Sequence, residues 1–244
     1  MTHEITIIIP CYNEAERFDF ALFEQYYKVL PSVYFVLVND GSTDHTEELL
    51  KELAFAKANI HLLTLAHNVG KGEAIRQGIL WALTHTKALF FAYFDADFAT
   101  PLTEIKTLYQ PFETNGDVQF VLGFRRKNKG TIVKRHWYRH YPGRFFALIV
   151  NFLVLKKSLY DTQCGAKLMS RLCAERHCQI PFSTRWLFDI ELIKRISNDY
   201  PKNELEKHII EIPISRWTDY GGSKIRFIDW LVSPFQLLRL ALKK

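Results

Sequence analysis

Over the first half of the chain, short apolar runs alternate with segments of helical spacing. The runs are ITIIIP (5–10), VYFVLVND (33–40), IHLLTL (60–65), ALFFAYF (88–94) and VQFVLGF (118–124). They are nearly continuous in apolar residues, the pattern of strands covered on both faces in a mostly parallel sheet. Between them, TDHTEELLKELAFA opens with a Ser42/Thr43 cap and acids in its first turn, and GEAIRQGILWALTH repeats apolar residues at helical spacing. The predicted fold is α/β, an open Rossmann-like sheet with helices on both faces.

Ligands of such sheets bind beyond the carboxyl ends of the strands. Four stretches fall there and are expected to line one crevice: Pro10-Cys11-Tyr12-Asn13-Glu14, Asn39-Asp40-Gly41-Ser42, Asn68-Val69-Gly70-Lys71-Gly72 and Asp95-Ala96-Asp97. After residue 125 the pattern changes. A basic stretch leads to an apolar helix, the loop YDTQCGAK (160–167), a helix around RWLFDIELIKRI (185–196), a strand HIIEIPI (208–214) and a final amphipathic segment. This half is expected to receive a second substrate.

Charge sharpens that division. The formal net charge is +6, but RRKNKGTIVKRHWYRHYPGR (125–144) is dense in Lys and Arg and holds no acid. Such a patch wants an anion; nucleic acid, anionic lipid and a phosphorylated substrate all qualify. The four cysteines, Cys11, Cys164, Cys173 and Cys178, lack zinc-site spacing and read as reduced thiols. No basic-then-apolar leader opens the chain, which predicts a body on the cytosolic side. The longest apolar run, FFALIVNFLVL (145–155), would rise only about 16 Å as a helix against a bilayer core of about 30 Å.

The candidate chemistry has bland alternatives. Asp95 and Asp97 flank a small residue at a strand end and can hold a hard divalent cation, or can be a solvated turn. Asp40 can accept hydrogen bonds from a nucleoside, or can brace a turn with Gly41 and Ser42. HNVGKGEA lacks P-loop spacing, yet Lys71 beside its glycines can meet a diphosphate at a helix start. His136 and His140 stand at i, i+4, but the arginines around them oppose a bound cation, so a basic and aromatic face at a membrane surface is the better reading. Asp161 and Asp189 can orient an acceptor or can cap turns. In SKIRFIDWLVSPFQLLRLALKK (223–244) a wide apolar face suits either packing on the domain or a bilayer interface, with Pro234 expected to start a second helix behind Ser233.

IIIPCYNEAERF, VNDGSTD, NVGKGEAIRQGI and FDADFATP, in this order and spacing, resemble the donor-binding half of inverting family-two glycosyltransferases of the GT-A fold. YDTQCGAKL, RWLFDIEL and IIEIPISRWTDYGGSKIR extend the resemblance to the dolichyl-phosphate β-glucosyltransferases and related polyprenyl-phosphate glycosyltransferases, over nearly the whole chain. That resemblance implies a catalytic domain over residues 1–222, with a nucleotide-sugar half (1–124) and an acceptor half (125–222), followed by amphipathic membrane-interface helices over 223–244.

It further implies that Pro10, Tyr12, Asn13, Glu14, Asp40 and Gly41 hold the nucleoside and that Lys71 lies near the base and diphosphate. Asp95, Ala96 and Asp97 would form a D-x-D site for Mg²⁺ or Mn²⁺. Arg125, Arg139, Ser223 and Lys224 would meet phosphates, with Asp161 beside the acceptor. The implied partners are UDP-glucose, a dolichyl or undecaprenyl phosphate acceptor and a membrane surface, with peripheral attachment to its cytoplasmic face and no nucleic acid. Relatives that transfer mannose carry a glutamine where this chain has Ala99, so the resemblance favours glucose. The eukaryotic glucosyl relatives also carry an N-terminal membrane anchor that this sequence lacks, leaving interfacial helices to make the membrane contact. The rival readings are a family-two enzyme acting on a sugar hydroxyl of a polysaccharide or glycolipid, and an inactive nucleotide-binding membrane adaptor.

Overall fold

The structure, a computed structural model, describes residues 4–55, 57–125, 132–134, 159–185, 187–218 and 227–242. Strands β1 (Ile5–Cys11), β2 (Val33–Asn39), β3 (Ile60–Thr64), β4 (Phe90–Phe94), β5 (Phe120–Phe124), β7 (Ala166–Ser170) and β8 (Ile209–Pro213) form one sheet in the order β3-β2-β1-β4-β7-β5-β8. Every neighbouring pair is parallel except the two made by β7, which runs antiparallel to β4 and β5. A second, two-stranded parallel sheet joins β6 (Ile132–Lys134) to β9 (Arg216–Thr218).

Both faces of the large sheet are buried because its strands alternate between two apolar layers. Ile8, Val36, Val38, Phe91, Tyr93, Leu122 and Met169 face one layer, closed by α3 (Lys71–His85), α5 (Arg171–His177), α6 (Phe188–Ser197) and the end of α8 (Phe227–Leu242). Ile7, Ile9, Phe35, Leu37, Ala92, Phe94 and Leu168 face the other, closed by α1 (Phe20–Val29), α2 (Thr46–Phe55) and α4 (Ile105–Thr114). A short α7 (Leu205–His208) leads into β8. The five N-terminal runs predicted as strands are strands, and the layers match the expected α/β class.

Three local expectations are corrected. Helix α2 begins at Thr46, and the Asp44 carboxylate accepts the Thr46 N–H, so neither Ser42 nor Thr43 caps it. The predicted loop YDTQCGAK runs into the antiparallel strand β7. Pro234 does not start a second helix: α8 is continuous from Phe227 to Leu242, and its Leu237 and Leu240 are buried in the core, so this segment packs on the domain as well. Lys194 secures that docking through its ammonium, which donates to the Leu240 and Ala241 carbonyls.

Candidate functional site

The connection from β1 moves outward to β2 and β3, and the chain then returns to place β4 on the other side of β1. A crevice opens at such a switch point. Three of the predicted motifs are stitched together around it by their own polar groups. Asn13, at φ +50°, occupies the left-handed region that asparagine tolerates, which lets its N–H donate to Ser42 Oγ and its carbonyl Oδ1 accept the Thr43 N–H at 2.8 Å. Glu14 N–H donates to Thr46 Oγ1, and Asp40 N–H donates to the Cys11 carbonyl. Pro10 lies in β1 opposite Val38, and Tyr12 follows directly after that strand.

Asp40 is 2% exposed and spends its carboxylate on the next motif, accepting from Val69 N–H (2.8 Å), Gly70 N–H (2.9 Å) and Asn68 Nδ2 (3.0 Å). Burial raises its pKa, and the two backbone N–H groups oppose that rise without cancelling it. Gly41 turns the chain at φ +63° directly against the His67 backbone, where no Cβ fits. Asp40 thereby fixes the loop that leads into α3, whose first residue is Lys71. Arg185, which precedes α6, donates from its guanidinium to Asn68 Oδ1 on the same loop.

The two carboxylates of FDADFATP stand across from that loop. Phe98 makes the turn possible: it adopts φ +50°, costly for a bulky residue, and its ring is buried among Phe18, Phe23 and Tyr26. Ala96 is buried between the two acids. Asp97 Oδ1 accepts the Ala99 N–H at 3.0 Å, and its Oδ2 lies 3.9 Å from Arg17 Nη2. Asp95 Oδ1 is buried and meets the Lys71 ammonium, while Oδ2 rests against the bare Cα of Gly165, where a Cβ would collide with the carboxylate.

Burial and the neighbouring Asp95 raise the Asp97 pKa. Burial alone would lower that of Lys71, but Asp95, Asp189 and Asp97 outweigh it and raise it. Two hard carboxylates at the mouth of a crevice, one held in a notch that only glycine leaves open, are a donor set suited to Mg²⁺ or Mn²⁺. Among the described residues no third His, Cys, Asp or Glu joins them in a metal-binding cluster.

The acids of the second half are committed elsewhere. Asp161 forms a bidentate pair with Arg125, Oδ2 to Nε at 2.6 Å and Oδ1 to Nη2 at 2.9 Å, and the guanidinium lies 5.2 Å from the centre of the Trp217 ring. Glu211 accepts the N–H groups of Tyr160 and Asp161, fixing that loop to β8. Asp189 is buried, 2.9 Å from the ammonium of the fully buried Lys167 and 2.6 Å from the Tyr93 hydroxyl. Burial pushes the Cys164 thiol up to about 11 and Cys178 to about 12, leaving both protonated and inert near neutrality.

Arg139, Ser223 and Lys224 lie outside the described residues, as do His136, His140 and the apolar run 145–155. The sequence reading missed Arg17, Gly165, Arg185, Lys167 and Glu211. All five stand inside stretches already singled out, but each acts through a partner distant in the chain, which no local pattern announces.

The family model for Glycosyl transferase family 2 matches residues 6–176. Dolichyl-phosphate beta-glucosyltransferase of Homo sapiens is 31% identical over 260 residues, covering 99% of this chain and 76% of that protein. The Saccharomyces cerevisiae protein of the same name is 28% identical over 247 residues, covering 91% and 69%. Among solved structures, glucosyl-3-phosphoglycerate synthase from Mycobacterium tuberculosis in complex with Mn²⁺, UDP-glucose and phosphoglyceric acid aligns with a TM-score of 0.66 at 17% identity, over 98% of this chain and 78% of that one.

Proposed function

Because the chain belongs to glycosyl transferase family 2 and has the GT-A fold, we propose that this glycosyltransferase moves glucose from UDP-glucose, with inversion, to a polyprenyl phosphate. The observation that carries the reading is the placement of Asp95, Asp97, Lys71 and Arg17 together at the switch point, in a chain whose full-length relatives are named dolichyl-phosphate beta-glucosyltransferases. An acceptor phosphate oxygen forms the new bond to the anomeric carbon while the bond from that carbon to the diphosphate oxygen breaks, and UDP departs with the electron pair. Asp95 and Asp97 would hold a divalent cation, which when bound supplies Lewis-acid stabilisation of the leaving diphosphate. Lys71 and Arg17 add positive charge on the same side.

The pairing of the two acceptor-half acids supports a phosphate acceptor over a sugar hydroxyl. A hydroxyl must lose its proton to a general base, and both carboxylates are already engaged, Asp161 with the Arg125 guanidinium and Asp189 with the Lys167 ammonium. A phosphate is already anionic and needs positioning instead. Asp161 then acts by orienting Arg125, whose guanidinium, with Arg139, Ser223 and Lys224, would meet the acceptor phosphate. The enzyme would work at the cytosolic surface of a membrane as a peripheral protein; no described helix is long and apolar enough to cross one.

The test is a panel of radiolabelled nucleotide sugars incubated with Mg²⁺ or Mn²⁺ and short polyprenyl phosphates, with products extracted into organic solvent. Label from UDP-glucose should enter the organic phase, and Asp97→Ala should lower the rate at least ~100-fold. No organic-soluble product with any donor, or transfer to a soluble acceptor without lipid phosphate, would overturn the reading.

A further inference from the structure

The pairing of Lys71 with Asp95 has a consequence for how the site fills. Asp95 is braced on one side: its Oδ2 fills the space that a Cβ at position 165 would take. Its other oxygen, Oδ1, is buried against the Lys71 ammonium. Lys71 is the movable member, since it stands at the first position of α3 on a flexible stem and its side chain is 42% exposed. A divalent cation taking Asp95 Oδ1 as a ligand requires the same oxygen the ammonium covers, and the two positive charges repel.

We propose that Lys71 is an exchangeable counter-ion that occupies Asp95 while the site lacks nucleotide and transfers to the diphosphate when metal and nucleotide enter. The inference rests on the metal reading of Asp95 and Asp97. Displaced from Asp95, the ammonium remains anchored at the N-terminus of α3, where the helix dipole also favours an anion. Metal entering without nucleotide strands the lysine charge beside it; metal entering with a diphosphate does not. Arg17 plays a lesser part, because it stands 3.9 Å from Asp97 and leaves more room. Lys71 thus couples metal and nucleotide binding, and the coupling acts equally on both ligands.

The experiment titrates the nucleotide-free protein with Mn²⁺ and follows the free-ion signal by electron paramagnetic resonance. Lys71→Met and Lys71→Gln should bind Mn²⁺ ~10-fold more tightly than the unaltered protein, and Lys71→Arg should stay near it, because only the charge competes. Circular dichroism confirms that each variant is folded, and two neutral variants guard against one that is not. Equal or weaker Mn²⁺ binding by the folded neutral variants would overturn the exchange while leaving the transfer reaction, tested by product extraction, untouched. Absence of Mn²⁺ binding by any form, with UDP present, would overturn the metal reading as well.

Discussion

At the scale of single residues, the site depends on which side chain each acid was given as a partner. Asp40, Asp95, Asp97 and Asp161 were all legible as candidates, because acids at strand ends and in a D-T-Q-C-G loop stand out from an apolar background. Their partners were not legible, since Val69, Gly165, Arg17 and Arg125 reach them through the fold. Gly165 shows the difference most clearly: within its motif it reads as a turn residue, whereas its structural use is to leave space for a carboxylate. Gly165→Ala should therefore push Asp95 from its notch without unfolding the protein, because the displaced atoms are polar and near the surface of the crevice. The expected outcome is a fall in kcat/KM of ~100-fold, about 2.7 kcal/mol of transition-state stabilisation, with far-UV circular dichroism unchanged. Steady-state kinetics with the labelled donor measures it, and wild-type kinetics in the variant would show that the notch has no bearing on the reaction.

At the scale of elements, the strands with continuous apolar runs announced themselves and β7 did not. AKLMS places Lys167 in a strand interior where periodicity predicts an apolar residue, and the Cys164 carbonyl three residues before it, with the Asp189 carboxylate from a distant helix, makes that burial tolerable. Helix α6 was expected from its apolar spacing, but its second task was hidden. Glu191, 2% exposed, accepts from Ser183 N–H and Ser183 Oγ at 2.8 Å each and from Arg195 Nη2 at 2.8 Å. Arg195 in turn donates to the carbonyls of His177, Ile180 and Pro181.

This pair staples the segment before α6 to the helix and so sets the approach of Arg185 to the loop that leads into α3. Glu191→Ala should cost about 2–4 kcal/mol by leaving Arg195 and the Ser183 donors without their anion, read as a lower denaturant midpoint. Burial pushes the Glu191 carboxyl up, but Ser183 and Arg195 outweigh it and hold it below the ordinary value. The unfolded chain then binds the proton more tightly, so the stabilisation is full above pH of about 4.3 and fades as pH falls further through the lowered folded value. The alanine variant should lack that acid-sensitive component in its stability profile.

At the scale of the whole molecule, the α/β class and its crevice followed from the order of runs and strand-end motifs, while the role of the C-terminal segment needed the fold. Helix α8 divides its side chains between two environments: Leu237 and Leu240 are 4% and 1% exposed in the core, whereas Phe235, Leu238 and Leu242 are 73%, 57% and 74% exposed, with Arg239 beside them. The period of the sequence could not separate these faces, because the segment is apolar around most of its circumference. Over residues 235–242 one face is bound to the domain and the other is exposed and apolar with Arg239 beside it, a form suited to a bilayer interface. At 16 residues it extends about 24 Å, suited to lying along a surface. Phe235→Ser combined with Leu238→Ser should weaken binding to vesicles containing anionic lipid by ~100-fold, the loss expected from two large apolar side chains, while leaving the melting temperature nearly unchanged. Leu237→Ser, one position away but inside the core, should do the reverse and lower the melting temperature through a buried hydroxyl and a cavity. Vesicle co-sedimentation and thermal melts on the same preparations separate the two effects. If the double variant sediments with vesicles as the unaltered protein does, the exposed face of α8 is not a membrane-binding face.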